Sequence, residues 1–159
     1  MGAPGKSGEL PGLLSLELET LQSFIELLRR EQTLLAGGTT EGLTDLAAEK
    51  STAAVELGRL SAARDGELAC IHLPSGRAGM DAWTLTDAGA PSQRNWDRLL
   101  LLAAEARALN ESNGKLIALQ LQHNQQALSV LMAAADQTST YGPDGQPRAA
   151  PGGRSLGSA

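Results

Sequence analysis

Apolar residues recur near the start of the chain at alternating steps of four and three: Leu14, Leu18, Leu21, Ile25, Leu28, Gln32 and Leu35. That repeat puts one stripe of side chains along one side of a helix and predicts a coiled-coil-like seam. The helix should run from about Leu13 to Ala36, with Glu17, Glu19, Glu26, Arg29 and Arg30 off the seam. Gly37-Gly38 should end it, because glycine accepts the left-handed geometry of a helix C-terminus. Thr39 or Thr40 is placed to cap the next helix. A second, weaker seam follows through Leu43, Leu46, Lys50, Ala53, Leu57, Leu60 and Arg64, predicting a helix over about Glu41 to Arg64. A short connection favours antiparallel neighbours, so these two helices should form a hairpin.

Proline is missing from residues 12–73 and 92–142, the intervals in which long helices fit. The second interval carries one continuous seam: Trp96, Leu99, Ala103, Ala106, Asn110, Asn113, Ile117, Gln120, Asn124, Ala127 and Leu131. A third helix should therefore run from near Ser92 to near Asp136, with Leu102, Leu109, Leu116, Leu121 and Leu128 beside the seam. Residues 65–91 are punctuated by glycine and proline and read as an irregular connector. Within it, MDAWTLTDA has the makings of a helical turn or two that folds Trp83 back onto the bundle. Residues 137–159, rich in Gly, Pro, Ser and Thr, have too little apolar area to offset ordering entropy and read as a disordered, flexible tail. The expected fold is all-α: an antiparallel hairpin plus a long C-terminal helix forming a three-helix bundle over residues 1–136.

Composition narrows the function. The chain is 42% hydrophobic but only 3% aromatic, as suits thin helical packing on Leu and Ala. A net charge of −5 leaves no broad basic face for nucleic acid. The single cysteine, Cys70, excludes an internal disulfide and suits a reducing, cytoplasmic setting. No signal core or membrane-spanning run is visible. Cys70 and His72 form a pair too small for a zinc site, and His123 sits on a polar helical face. No phosphate loop, nucleophile elbow or pair of inward carboxylates is present. The residues point to a binding or structural protein, without enzyme activity, metal or cofactor.

The stretch NESNGKLIALQLQHNQQALSVL sharpens this. Asn110, Asn113, Gln120 and Asn124 occupy seam positions, with Gly114 among them. A buried amide lacking a partner costs about 1–3 kcal/mol, and a domain has only about 5–15 kcal/mol in all. Either this part of the seam is open to water, or each amide has a designated partner. Gly114 costs about 1 kcal/mol relative to alanine in a helix interior, which suggests close backbone approach or a bend. A groove receiving another chain would use Ile117, Leu121, Leu128 and Leu131 for contact and the amides for hydrogen bonds.

The same stretch, followed by TYGPDGQ, resembles the signature of the FlgN family of flagellar export chaperones: N-x-x-N-G-x-L, then N-x-Q-A-L-x-V-L, then Y-G-x-D-G-Q. The matching positions are Asn110, Asn113, Gly114, Leu116, Asn124, Gln126, Ala127, Leu128, Val130, Leu131 and Tyr141 to Gln146. The resemblance implies a cytoplasmic type III export chaperone. It would bind the amphipathic C-terminal helical segment of hook–filament junction proteins, prevent their premature assembly and deliver them to the export gate. It would meet the membrane only indirectly, through that gate. The resemblance places client binding on Asn110, Asn113, Gly114, Ile117, Gln120, Leu121, Asn124, Leu128 and Leu131, and gate docking on Tyr141. The alternative is a self-associating cytoplasmic coiled-coil scaffold.

Overall fold

The computed structural model describes residues 8–140, the side chains of 138–140 excepted. Among them the order is α1 (Leu10–Ala36), α2 (Leu43–Cys70), α3 (Gly76–Thr84), a short 3-10 turn (Ala90–Ser92) and α4 (Gln93–Thr140). The expected all-α architecture is present. Compact packing divides the chain into two units, Met1–Ile117 and Ala118–Ala159.

In the first unit, α1 starts with Pro11 in its first turn, where a missing N–H removes no helical hydrogen bond. It ends at Gly37-Gly38, with Gly38 at φ 67°. The expected threonine cap is absent: the residue before α2 is Gly42 at φ 80°, with no side-chain cap hydrogen bond. The buried row of α1 is Leu10, Leu14, Glu17, Leu21, Ile25, Leu28, Glu31 and Leu35. Glu17 is therefore on the seam, contrary to the reading of the heptad, and Glu31 rather than Gln32 faces inward.

Both buried glutamates meet cations of the α2 seam. Glu17 pairs with Arg64, and Glu31 with Lys50 at 2.7 Å. Fourteen residues up α1 correspond to fourteen residues back along α2, two heptads traversed in opposite directions, so the hairpin is antiparallel and in register. Removing one member of a buried pair strands the other and typically costs ~3–5 kcal/mol, so these pairs penalise a slipped register. Leu14 and Leu28 are fully buried beside them, each worth roughly 1.5–3 kcal/mol of burial.

Within this first unit, the part of α4 up to Asn113 lies along the hairpin parallel to α1. Arg29 pairs with Glu105, and Gln32 Nε2 donates to Ser112 Oγ at 3.3 Å. Trp96, Leu99, Ala106 and Asn113 supply its buried side chains.

The segment 65–91 needs correction. Residues 65–70 are the last turns of α2, and α3 is a nine-residue helix. Trp83 and Met80 of α3 are buried in the same core as Leu14 and Leu28. Asp65 Oδ1 accepts from the Gly76 amide at 2.9 Å, and Trp96 Nε1 donates to Asp81 Oδ1 at 2.7 Å. Two of the glycines read as linker punctuation are packing residues. A Cβ on Gly79 would stand 1.7 Å from the Pro74 carbonyl oxygen, and one on Gly89 2.1 Å from that of Trp83.

α4 continues to Thr140, four residues past the expected end, so residues 137–140 are helical rather than tail. Residues 141–159 lie outside the described residues. Among the described residues, no helix is long and apolar enough to cross a membrane.

Candidate interaction surface

The amides of α4 do not share one environment. Asn113 is buried. Its Nδ2 donates to Leu28 O and to Glu31 Oε2, both at 2.8 Å. Glu31 Oε2 also accepts from Lys50 Nζ. One carboxylate oxygen thus joins three helices: α1 through Glu31, α2 through Lys50 and α4 through Asn113. A charge-assisted bond of this kind is worth about 1.5–3 kcal/mol. Asn113 Oδ1 is buried and has no hydrogen-bond partner. In this chain Asn113 fastens α4 to the hairpin, and its side chain is buried rather than open at the surface.

Asn110 is exposed, at the edge of the seam rather than within it. Gly114 is exposed too, and nothing stands within 4 Å of the position its Cβ would take. No close backbone approach explains this glycine, and α4 runs through it without a break.

The hairpin is nearly spent at this level. Gln32 is abreast of Ser112, and α1 ends at Ala36, so α1 has about one turn left. From Ile117 onward α4 carries large apolar side chains in water: Ile117 is 48% exposed, Leu121 57%, Leu128 58% and Leu131 66%. Asn124 is exposed and Gln120 half-buried. Gln120 apart, the expected site residues thus fall into two groups. Asn113 belongs to the bundle's interior; Asn110, Gly114, Ile117, Leu121, Asn124, Leu128 and Leu131 are accessible. Tyr141 lies outside the described residues.

Three apolar side chains that the seam did not single out are as open: Leu119 at 53%, Val130 at 68% and Met132 at 61%. Leu119 and Val130 lie away from the heptad row, so tracing that row alone passes over them.

A second concave feature lies within the first unit. A cleft of about 390 Å³ is bordered by Leu21, Leu57, Trp96, Leu99 and Leu100, with Glu17 and Arg64 also lining it. Arg64 binds Glu17, lies 5.4 Å from the Trp96 ring centre and takes Ser61 Oγ at 3.1 Å. Burial pushes the Glu17 carboxyl up from its ordinary value, against the downward pull of Arg64. Cys70 is exposed at the end of α2. Among the described residues, no three His, Cys, Asp or Glu side chains converge as a metal site would require.

Comparison with known proteins gives a consistent picture. The family model described as FlgN protein matches residues 1–149. A flagella synthesis protein FlgN of Yersinia enterocolitica is 32% identical over 139 residues, covering 86% of this chain and 88% of that protein. A second, from Yersinia enterocolitica serotype O:8 / biotype 1B, matches to the same extent. No solved structure matches significantly.

Proposed function

The chain belongs to the FlgN family of flagellar synthesis proteins, and from that premise we propose that it is a cytoplasmic chaperone of type III flagellar export. Its clients are hook–filament junction proteins, held by their amphipathic C-terminal helical segments. Those segments must polymerise outside the cell, so their apolar faces are a hazard inside it. The exposed row Ile117, Leu121, Leu128 and Leu131 carries this reading. Contiguous exposed apolar surface marks an interaction site, and this row offers one without unfolding anything. Asn124 and Gln120 supply hydrogen bonds along the same row, so a client helix need not leave polar groups unpaired when it docks.

Delivery to the export gate's cytoplasmic domain is assigned to Tyr141, the only tyrosine in the chain. An aromatic side chain supplies a large apolar contact with a polar tip.

Calorimetric titration of the full chain with a synthetic C-terminal segment of a junction protein tests the first part. Binding in the micromolar range or tighter, about −8 kcal/mol, is expected. A folded sample that gives no heat refutes the reading. Tyr141→Ala should leave that titration unchanged and weaken binding to the gate domain; loss of both together would show that Tyr141 is misassigned.

A further inference from the structure

The cleft of the first unit is the deep end of a longer groove. Leu57, Gly58 and Ser61 line it from α2, and Leu99, Leu100 and Ala103 from α4. Arg64 lies by Trp96, and Lys50 shares the Glu31 carboxylate with Asn113, so α2 and α4 run side by side in opposite directions. From the cleft, each helix can be followed at steps of three and four, which stay on one face. On α2 the row is Ser61, Gly58, Ala54, Ser51 and Ala47. On α4 it is Leu100, Ala103, Arg107, Asn110, Gly114 and Ile117. This is not the flank that carries Glu105 and Ser112, which bond to α1.

Both rows are open beyond the cleft. Gly58, Ala54, Ser51 and Ala47 are exposed, and so are Ala103, Arg107, Asn110, Gly114 and Ile117. A Cβ on Gly58 or Gly114 would meet nothing within 4 Å. No side chain of the α2 row is larger than serine. Low walls over a floor of Leu21, Leu57 and Leu99 leave a trough in which a further helix can settle at ordinary packing distance. The charges at the floor are already paired, Glu17 with Arg64 and Glu31 with Lys50. Arg107 makes no hydrogen bond or ion pair with any described residue. Asn110 and Gly114, which the packing of the bundle leaves unexplained, stand in the same row. Its last member, Ile117, is the one residue of the proposed client surface with a large exposed apolar side chain in this unit.

We infer that the groove between α2 and α4 receives an amphipathic helix of the client. The inference rests on the chaperone reading and adds α2 to the client's contacts, with the cleft as an anchor pocket. The docked helix carries one large aliphatic or aromatic side chain for the cleft of about 390 Å³. It sets small residues against Gly58 and Ala103. About one turn from the anchor it carries a carboxylate for Arg107, because a cation covered without a partner opposes binding. From Leu100 to Ile117 the row spans about 26 Å at 1.5 Å per residue, which sets the length of helix required.

The test titrates a synthetic C-terminal segment of a junction protein, at low salt, against the full chain and three variants. Gly58→Leu fills the cleft mouth, Arg107→Glu reverses the charge in the groove, and Arg98→Glu, exposed and outside the row, makes the same change in net charge elsewhere. Circular dichroism melts check that each variant keeps its fold. Gly58→Leu should weaken binding roughly tenfold or more, as expected when one apolar anchor is shut out. Arg107→Glu should weaken it about threefold or more, and Arg98→Glu should leave it unchanged. A segment that binds the parent but is indifferent to Gly58→Leu or to Arg107→Glu overturns the groove while the chaperone reading stands. So does an equal loss with Arg98→Glu, which would make the effect one of net charge. Sedimentation showing a dimer of the parent that Gly58→Leu dissociates would make a second copy the occupant and overturn the client there. A segment that fails to bind the parent overturns the chaperone reading and the groove with it.

Discussion

Asn113→Asp probes the junction of the three helices directly. The substitution preserves volume and replaces an amide donor with a carboxylate. Two bonds are lost, to Leu28 O and Glu31 Oε2, each 2.8 Å long in the parent. The first is worth about 1 kcal/mol and the second about 1.5–3 kcal/mol. The new negative charge also faces Glu31 at hydrogen-bond distance. At an effective dielectric near 20 that repulsion is about 6 kcal/mol, and the nearby Lys50 ammonium offsets part of it. The new carboxyl escapes by holding its proton, which caps the penalty. We expect a loss of about 3–5 kcal/mol at pH 7, a large share of the ~5–15 kcal/mol typical of a domain. The sign with pH follows from linkage. A carboxyl whose proton is held more tightly in the folded state contributes stability at low pH and loses it as pH rises through its folded value. The deficit should therefore shrink on acidification. Urea unfolding followed by the fluorescence of Trp83 and Trp96, both buried in the bundle, measures it at pH 7 and pH 5. Asn113→Leu is the control. It loses the same donors but removes the unpartnered Oδ1, so it should cost no more than about 2 kcal/mol. A deficit below about 1 kcal/mol for Asn113→Asp at pH 7 would refute the placement of Asn113 against Glu31.

The Glu17–Arg64 pair makes two further predictions. Glu17→Ala should cost about 3–5 kcal/mol by stranding Arg64, whereas Glu17→Leu combined with Arg64→Met should be neutral or stabilising by up to about 4 kcal/mol; thermal melts of both variants check this. Because burial raises the Glu17 carboxyl above its ordinary 4.5, its contribution to stability is full below that value and is lost as pH rises through the folded one. Melts between pH 4 and 7 should therefore flatten in the double variant relative to the parent. Glycine substitutions should split in sign. Gly79→Ala drives a Cβ into the Pro74 carbonyl and should cost about 1–3 kcal/mol or more, while Gly66→Ala, in α2 with open space around it, should gain about 0.5–1 kcal/mol. Denaturant midpoints of the two variants decide it.

The parts of this fold that were readable in the sequence are those set by one helix at a time. Leucine spacing, the Gly37-Gly38 stop and the proline-free intervals identify three long helices and their order. What escaped depends on two helices at once. Glu17 looks like a solvated charge until Arg64 stands opposite it, and Asn113 looks like a wet amide until Glu31 and Leu28 are beside it. Lys50 and Arg64 within the α2 seam were the available sign that acidic partners were needed on α1. Residues 76–92 were obscured for another reason: glycine is the same letter whether it loosens a loop or lets Pro74 and Trp83 approach a helix closely. The exposed apolar row was legible as a row. Which of its members stand in water emerged only with the exposure of Ile117, Leu121, Leu128 and Leu131.

Amide hydrogen exchange across residues 118–136, in the free chain and with a junction-protein C-terminal segment bound, tests most directly whether this part of α4 awaits a partner. An uncovered helix opens locally at little cost, while a core helix exchanges only at the free energy of global unfolding. The account predicts fast exchange there in the free chain, slow exchange around Leu28 and Asn113, and slowing of the 118–136 amides when the segment binds. Protection of 118–136 already at the level of the bundle core, unchanged by the segment, would contradict it.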